Sequence, residues 1–94
     1  MEQIISGKRY DTDKATLLAD DKYWDGNNWE RQGRNQFLYK SAKGNFFKLD
    51  TSLWDAELDQ ITPLDKREAM ELYEGLRKQH VEYELAFDEQ PEEA

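Results

Sequence analysis

Residues 35–50 read NQFLYKSAKGNFFKLD, and this stretch decides the fold. In its first half Phe37 and Tyr39 stand two positions apart, and in its second half Phe47 and Leu49 do the same. Successive side chains of a β-strand point to opposite faces, so each pair shares one face of its strand. The stretch therefore predicts a hairpin in which large apolar side chains meet across two strands.

The four residues SAKG, at 41–44, join the two strands of this hairpin. Gly44 can take the positive φ that such a loop needs, because it has no Cβ. An isolated hairpin is only marginally stable in water. These strands must therefore join a larger sheet or pack against a helix.

The residues before this hairpin predict more strands and turns. The pair Ser6-Gly7 between two short β-compatible stretches predicts a hairpin over residues 3–10. Asp11-Thr12-Asp13 is typical of a turn, and residues 15–19 are interpreted as a strand, with one helical turn as the alternative. Residues 25–28, which read DGNN between two tryptophans, predict another turn.

After the hairpin the chain carries a complete helix start signal. Asp65 is the predicted N-cap and Glu68 its reciprocal partner in a capping box, while Leu64 and Ala69 can form a hydrophobic staple. The helix is predicted over about 65–79. Its apolar stripe at i, i+3, i+4 and i+7 spacing consists of Ala69, Leu72, Tyr73 and Leu76.

The last third of the chain is strongly patterned as well. Val81, Tyr83, Leu85 and Phe87 alternate with Glu82, Glu84 and Ala86, which favours a half-buried strand over 81–87, with a short helix as the alternative. Residues 88–94 are predicted to form an acidic, frayed tail. Together these patterns predict a single α+β domain over 1–87, with an antiparallel sheet of three to five strands packed by one amphipathic helix.

Composition limits the class of protein. Aromatic residues make up 13% of the chain, enough to build a small core although only 37% of the residues are hydrophobic. The absence of cysteine excludes disulfides and thiolate metal sites. The chain shows neither the apolar core of a signal peptide nor a run of about 20 apolar residues. We therefore expect a cytoplasmic protein without a membrane partner.

Residues for catalysis are sparse. The single histidine, His80, is interpreted as a capping or surface residue, and no nucleophile-bearing motif or phosphate-binding glycine loop is present. Asp11-Thr12-Asp13 lacks the remaining ligands of a calcium loop, and Asp20-Asp21-Lys22 lacks the supporting acid of a metal-dependent nuclease. The sequence predicts a non-enzymatic protein with no cofactor and no metal site, and metal-dependent activity is the least favoured alternative.

Negative charge is concentrated in the second half of the chain. The net charge is −8; residues 1–50 carry nine Lys and Arg against eight Asp and Glu, whereas residues 51–94 carry four against thirteen. Carboxylates spaced along a surface can imitate a row of phosphates and bind a basic groove on another protein. The residues predicted to form such a surface are Asp55, Glu57, Asp59, Glu71, Glu74, Glu82 and Glu84.

An alternative surface combines cations with aromatic rings. Such a surface can hold single-stranded nucleic acid through base stacking and phosphate contacts. Its residues would be Arg31, Arg34, Tyr39, Lys40, Lys43 and Phe46. Direct binding of nucleic acid is the weaker hypothesis, because the chain as a whole is acidic.

Three blocks carry a resemblance to a known family. They are GKRYDTDKA at 7–15, LYKSAKGNFF at 38–47 and ITPLDKREA at 61–69. In this order they resemble a family of short bacterial and archaeal proteins of unknown function that also occurs on phages and other mobile elements. The resemblance implies a compact domain of strands followed by a helix, and an origin on a mobile element.

That origin suggests a partner by analogy. Small acidic proteins of mobile elements often act as inhibitors of host defence enzymes, in the manner of an anti-CRISPR protein or a nucleic-acid mimic. The expected partner is a host protein with a basic surface, such as a CRISPR effector or another nuclease. Homo-oligomer formation through an exposed sheet edge is a further hypothesis.

Overall fold

The computed structural model describes residues 1–21, 35–51 and 59–93, which form an α+β fold. Its strands are β1 (Glu2–Ile5), β2 (Lys8–Asp11), β3 (Thr16–Asp20), β4 (Asn35–Lys40), β5 (Phe46–Thr51), β6 (Gln60–Leu64) and β7 (Lys78–Gln79). Its helices are α1 (Lys66–Gly75) and α2 (Tyr83–Phe87).

Five of these strands form the main sheet of the described chain, in the order β6-β5-β4-β3-β7, and every neighbouring pair is antiparallel. The remaining two, β1 and β2, form a separate hairpin. The predicted fold class, an antiparallel sheet of three to five strands packed by a helix, is confirmed.

In the central hairpin the large apolar side chains meet across the two strands, as the sequence predicts. Phe37 of β4 lies opposite Leu49 of β5, and Tyr39 lies opposite Phe47. The rings of Tyr39 and Phe47 stack with their centroids 5.3 Å apart. Gly44 has a φ of 86°, which explains the glycine at this position of the turn.

The β1–β2 hairpin covers one face of the sheet. Its turn residues Ser6 and Gly7 both have positive φ, 52° and 78°, as a tight two-residue hairpin turn requires. Tyr10 of β2 packs edge-on against Phe47, with ring centroids 5.3 Å apart. The buried residues of this hairpin-side core are Tyr10, Phe47, Leu49 and Ile61.

The two helices cover the other face of the sheet. The buried residues of this helix-side core are Leu18, Ala19, Leu38, Phe46, Ala69, Tyr73, Leu76, Ala86 and Phe87. The sheet therefore lies between two layers, and neighbouring residues of one strand serve different cores: Phe46 faces the helices and Phe47 faces the hairpin.

Helix α1 begins where the sequence predicts. The Asp65 carboxylate accepts a hydrogen bond from the Glu68 amide at 2.7 Å, and the Glu68 carboxylate accepts one from the Asp65 amide at 3.0 Å. This reciprocal pair is the predicted capping box. Leu64 packs against the same core as Ala69, as the staple requires.

The predicted end of this helix is wrong. Helix α1 stops at Gly75 instead of reaching residue 79, because the chain leaves it to pair with the sheet edge. Gln79 of β7 lies opposite Ala19 of β3, and the His80 amide donates to the Leu18 carbonyl at 2.8 Å. The Gln79 side chain also donates to the carbonyls of Tyr73 and Leu76, at 3.0 and 2.6 Å, which satisfies acceptors left open at the helix end.

The strand predicted over 81–87 is also wrong, since residues 83–87 form α2. Alternation would place Leu85 inward and Ala86 outward, whereas Leu85 is 68% exposed and Ala86 is buried. Tyr83, Ala86 and Phe87 stand at i, i+3 and i+4, so the same residues also satisfy helical spacing. The large buried side chain of Phe87, rather than the alternation, fixes this segment to the core.

The outer edge of the sheet at β6 has few open amide groups. The amide of Ile61 donates to the side-chain oxygen of Gln3 in β1 at 3.3 Å. Pro63, two residues later, has no amide hydrogen. Ile61 and Pro63 stand two positions apart, so their backbone nitrogens lie on the same edge of β6, the edge that faces away from β5.

Two predictions about chain organisation are not tested. The turn at 25–28 lies outside the described residues. Residues 88–93 form neither helix nor strand, and two of their carboxylates pair with cations, Asp88 with Lys40 and Glu89 with Lys66, each at 3.3 Å. Neither helix of the described chain has the length and apolar character needed to cross a bilayer.

Candidate functional site

The carboxylates predicted to form a binding surface lie in three places. Asp55 and Glu57 lie outside the described residues. Asp59 is exposed immediately before β6, and the length of that strand separates it from α1. The remaining four are exposed on the helical layer, with Glu71 and Glu74 on α1 and Glu82 and Glu84 at the start of α2.

Aromatic packing holds the two helices together. The Tyr73 ring of α1 contacts the rings of Tyr83 and Phe87 of α2, with centroid distances of 5.9 and 5.4 Å. The Tyr73 hydroxyl donates a hydrogen bond to the carbonyl of Val81 at 2.7 Å. These contacts fix the start of α2 against the middle of α1.

The same packing brings carboxylates close to Tyr73. Burial raises the pKa of the Tyr73 hydroxyl, and the carboxylates of Glu84 and Glu82 raise it further. We call Glu82 and Glu84, at the start of α2, the acidic patch.

The acidic patch differs from the neighbouring carboxylate of Glu71, which has an ion-pair partner. Glu71 pairs with Arg67 at 3.6 Å along the exposed side of α1. Within the described ranges, neither carboxylate of the acidic patch forms an ion pair with a lysine, arginine or histidine. The patch can therefore attract a cationic surface.

The raised pKa of Tyr73 predicts a loss of stability at high pH. Since this pKa lies above the ordinary value of 10.0, the folded state holds the hydroxyl proton more tightly than the unfolded state does. The resulting stabilisation is fully present below pH 10.0, and it is lost as the pH rises through the pKa of Tyr73 in the folded state. We expect the free energy of unfolding in urea to fall more steeply above pH 10.0 for the natural chain than for Tyr73→Phe. Parallel curves for the two proteins would contradict this assignment.

The residues of the alternative nucleic-acid surface do not share one face. Arg31 and Arg34 lie outside the described residues. Tyr39 is half-buried on the hairpin side, where burial and the carboxylates of Asp20 and Asp13 raise the pKa of its hydroxyl.

The other members of that alternative surface lie elsewhere. Phe46 is buried on the helix side against Phe87, with ring centroids 5.3 Å apart. The Lys40 ammonium donates to the Ala86 carbonyl at 3.0 Å and lies 5.8 Å from the centre of the Phe46 ring. Of the described members of this surface, only Lys43 is exposed, and it lies in the β4–β5 turn. The nucleic-acid hypothesis stays a prediction, but a base could stack on Phe46 only if α2 moved away.

His80 has a buried partner that the sequence does not reveal. Its Nε2 atom lies 2.9 Å from an oxygen of Asp20, a buried carboxylate at the end of β3. Sixty positions separate the two residues, and only the pairing of β7 with β3 brings them together. A carboxylate oriented against an imidazole occurs in catalytic sites, and it equally satisfies the hydrogen-bonding needs of a buried acid.

The acidic elements considered as metal ligands serve local structure. The Asp11 carboxylate accepts a hydrogen bond from the Asp13 amide at 2.9 Å, which confirms the predicted turn. The Asp21 carboxylate accepts one from the Gln36 amide at 2.7 Å, and Lys22 lies outside the described residues. In the part of the chain that the structure describes, no three acidic or histidine side chains gather as a metal site would require.

Comparison of the chain with protein-family models, with curated proteins and with solved structures finds no significant match. The resemblance carried by the three sequence blocks stays a prediction.

Proposed function

We propose that this protein is a non-enzymatic binding protein whose acidic patch engages a basic groove on another protein. The observation that carries the proposal is the packing of α2 on α1 around Tyr73, which gathers carboxylates that have no cationic partner among the described residues. Like charges repel, so their assembly on one face is unfavourable for folding and favourable for a cationic partner.

The partner class follows from the sign of the charge. Grooves that bind nucleic acids are lined with Lys and Arg side chains that contact phosphates. Exposed carboxylates on a small rigid domain can occupy such a groove in place of the phosphates. We therefore propose a nucleic-acid-targeting enzyme as the partner, with the protein acting as a phage-type inhibitor that mimics nucleic acid.

A charge-neutralising variant tests this proposal. The double variant Glu82→Gln/Glu84→Gln removes two negative charges from the acidic patch, and the Glu82 side chain caps no helix amide. We expect it to lose at least tenfold in affinity for the partner, because each close interfacial charge pair contributes about 1.5 kcal/mol or more. The measurement is a quantitative pull-down from cells of the source organism. The baits are the natural chain, Glu82→Gln/Glu84→Gln and a matched control variant.

The matched control is Glu2→Gln/Asp13→Asn, which changes the net charge equally in the β1–β2 hairpin and the turn after it. It should retain the partners of the natural chain. Those partners should be basic, should elute as salt is raised, and should be displaced by an added oligonucleotide. Equal retention of the same proteins by the natural chain and by Glu82→Gln/Glu84→Gln would refute the proposal.

A further inference from the structure

A basic cleft lies on the hairpin side of the molecule, between the β1–β2 hairpin and the turn that joins β4 to β5. Its volume is about 430 Å³. It is lined by Gly7, Lys8, Arg9, Tyr10, Asp11, Lys14, Ser41, Ala42, Lys43 and Asn45. In a chain of net charge −8, this lining carries four cations and one carboxylate.

Three of these cations have no acidic partner among the residues that the structure describes. Arg9 pairs with Glu2 at 3.4 Å. Lys8, Lys14 and Lys43 form no ion pair with any described residue. The one carboxylate of the lining, Asp11, already accepts a hydrogen bond from a backbone amide. The cleft therefore holds a positive potential that an anion would neutralise.

Tyr10 adds a second observation that is independent of charge. The residue is only 7% exposed, its ring lies against Phe47, and it lines the cleft. Its hydroxyl has no hydrogen-bond partner among the described residues. A phenolic hydroxyl can donate and accept a hydrogen bond, so this one is available to a ligand oxygen in the cleft.

The walls of the cleft are held by backbone contacts. The β4–β5 turn is closed by hydrogen bonds from the Ser41 amide to the Asn45 carbonyl at 2.8 Å, and from the Asn45 amide to the Ser41 hydroxyl at 3.1 Å. The amide of Lys14 donates to the Asp11 carbonyl at 3.2 Å. Lys14 and Lys43 thus start from fixed backbone positions, which lowers the entropy lost when an anion binds.

We propose that this cleft binds the phosphate groups of a small polyphosphate ligand, such as a nucleoside di- or triphosphate. Lysine ammonium groups bind phosphate as point charges. Three unpaired lysines match the charge of two or three linked phosphates better than that of one carboxylate. The volume also falls within the range of about 300–1,000 Å³ that is usual for small-molecule sites.

Titration calorimetry of the full chain tests the proposal, with inorganic pyrophosphate and tripolyphosphate as probes at about 50 mM salt. We expect saturable binding at one site per chain. The variant Lys8→Gln/Lys43→Gln should weaken it at least tenfold, since hydrogen bonds to charged groups contribute about 1.5–3 kcal/mol each. Tyr10→Phe should weaken it severalfold without lowering the urea midpoint.

The matched control is Lys66→Gln/Arg67→Gln, which removes the same charge from α1, in the layer on the other face of the sheet. This variant should bind the probes as the natural chain does. An absence of heat with both probes, or equal weakening in the control, would overturn the proposal. A single-stranded oligothymidylate forms the second arm, and binding of that probe alone would overturn it too, because it would identify a nucleic-acid backbone as the source of the phosphates.

Discussion

Replacing Phe47 by alanine is expected to lower the free energy of unfolding by about 3–5 kcal/mol. Phe47 is 0% exposed, and its ring contacts the Tyr39 ring on the neighbouring strand and the Tyr10 ring of the β1–β2 hairpin. The substitution would leave a cavity between the sheet and the hairpin. Since small domains have a total stability of about 5–15 kcal/mol, urea denaturation should show a large shift of the midpoint.

The control for this prediction is Ile4→Ala in β1, where the isoleucine is 62% exposed. We expect this change to stay within about 0.5 kcal/mol. Amide hydrogen exchange in β1 and β2 should accelerate in Phe47→Ala and not in Ile4→Ala, because Phe47, unlike Ile4, packs between the hairpin and the sheet. A loss below about 1 kcal/mol on replacing Phe47 would show that the hairpin-side core is not a packed layer.

Replacing Phe87 by alanine should have a similarly large effect, again about 3–5 kcal/mol. Phe87 is 1% exposed and lies between the rings of Phe46, Tyr73 and Tyr83, at centroid distances of 5.3, 5.4 and 5.0 Å. A five-residue helix has little stability of its own, so α2 depends on this side chain for its position. Circular dichroism and urea denaturation measure the two consequences, loss of helix and loss of stability.

The substitution Phe87→Ala should also affect the proposed function, because Phe87 holds α2 in the position that the acidic patch requires. If α2 leaves α1, Glu82 and Glu84 no longer stand beside Tyr73 and the acidic patch disperses. Phe87→Ala should therefore lose partner binding although it removes no charge. Leu85→Ala is the control within the same helix, since Leu85 is 68% exposed, and it should retain both stability and binding. Full partner binding by folded Phe87→Ala would show that the position of α2 is irrelevant to recognition.

Much of the fold could be predicted from local patterns. The alternation around Phe37 and Phe47 predicts which side chains of β4 and β5 share a face, because side-chain direction in a strand depends only on parity. The start of α1 follows from Asp65 and Glu68, since the capping box is a contact within four residues. Both features require no knowledge of the rest of the chain.

The errors arise where distant contacts decide between two local options. Strand β7 is only two residues long and forms because β3 offers an open edge. The chain pairs with that edge, so α1 ends earlier than the sequence predicts. The segment at 81–87 satisfies both a strand and a helix pattern, and the pocket around Phe87 selects the helix. The grouping of Glu82 and Glu84 with α1 follows from that selection, so the acidic residues could be predicted from the sequence but their arrangement around Tyr73 could not.

The contact between Gln3 and Ile61 has a consequence for crowded solutions. A strand from another molecule can extend a sheet only by exchanging hydrogen bonds with the border strand it meets. Along β6 the outward donor at Ile61 is already engaged, and Pro63 offers none. This border is therefore protected at these two positions against the addition of a strand from a second molecule in a concentrated solution.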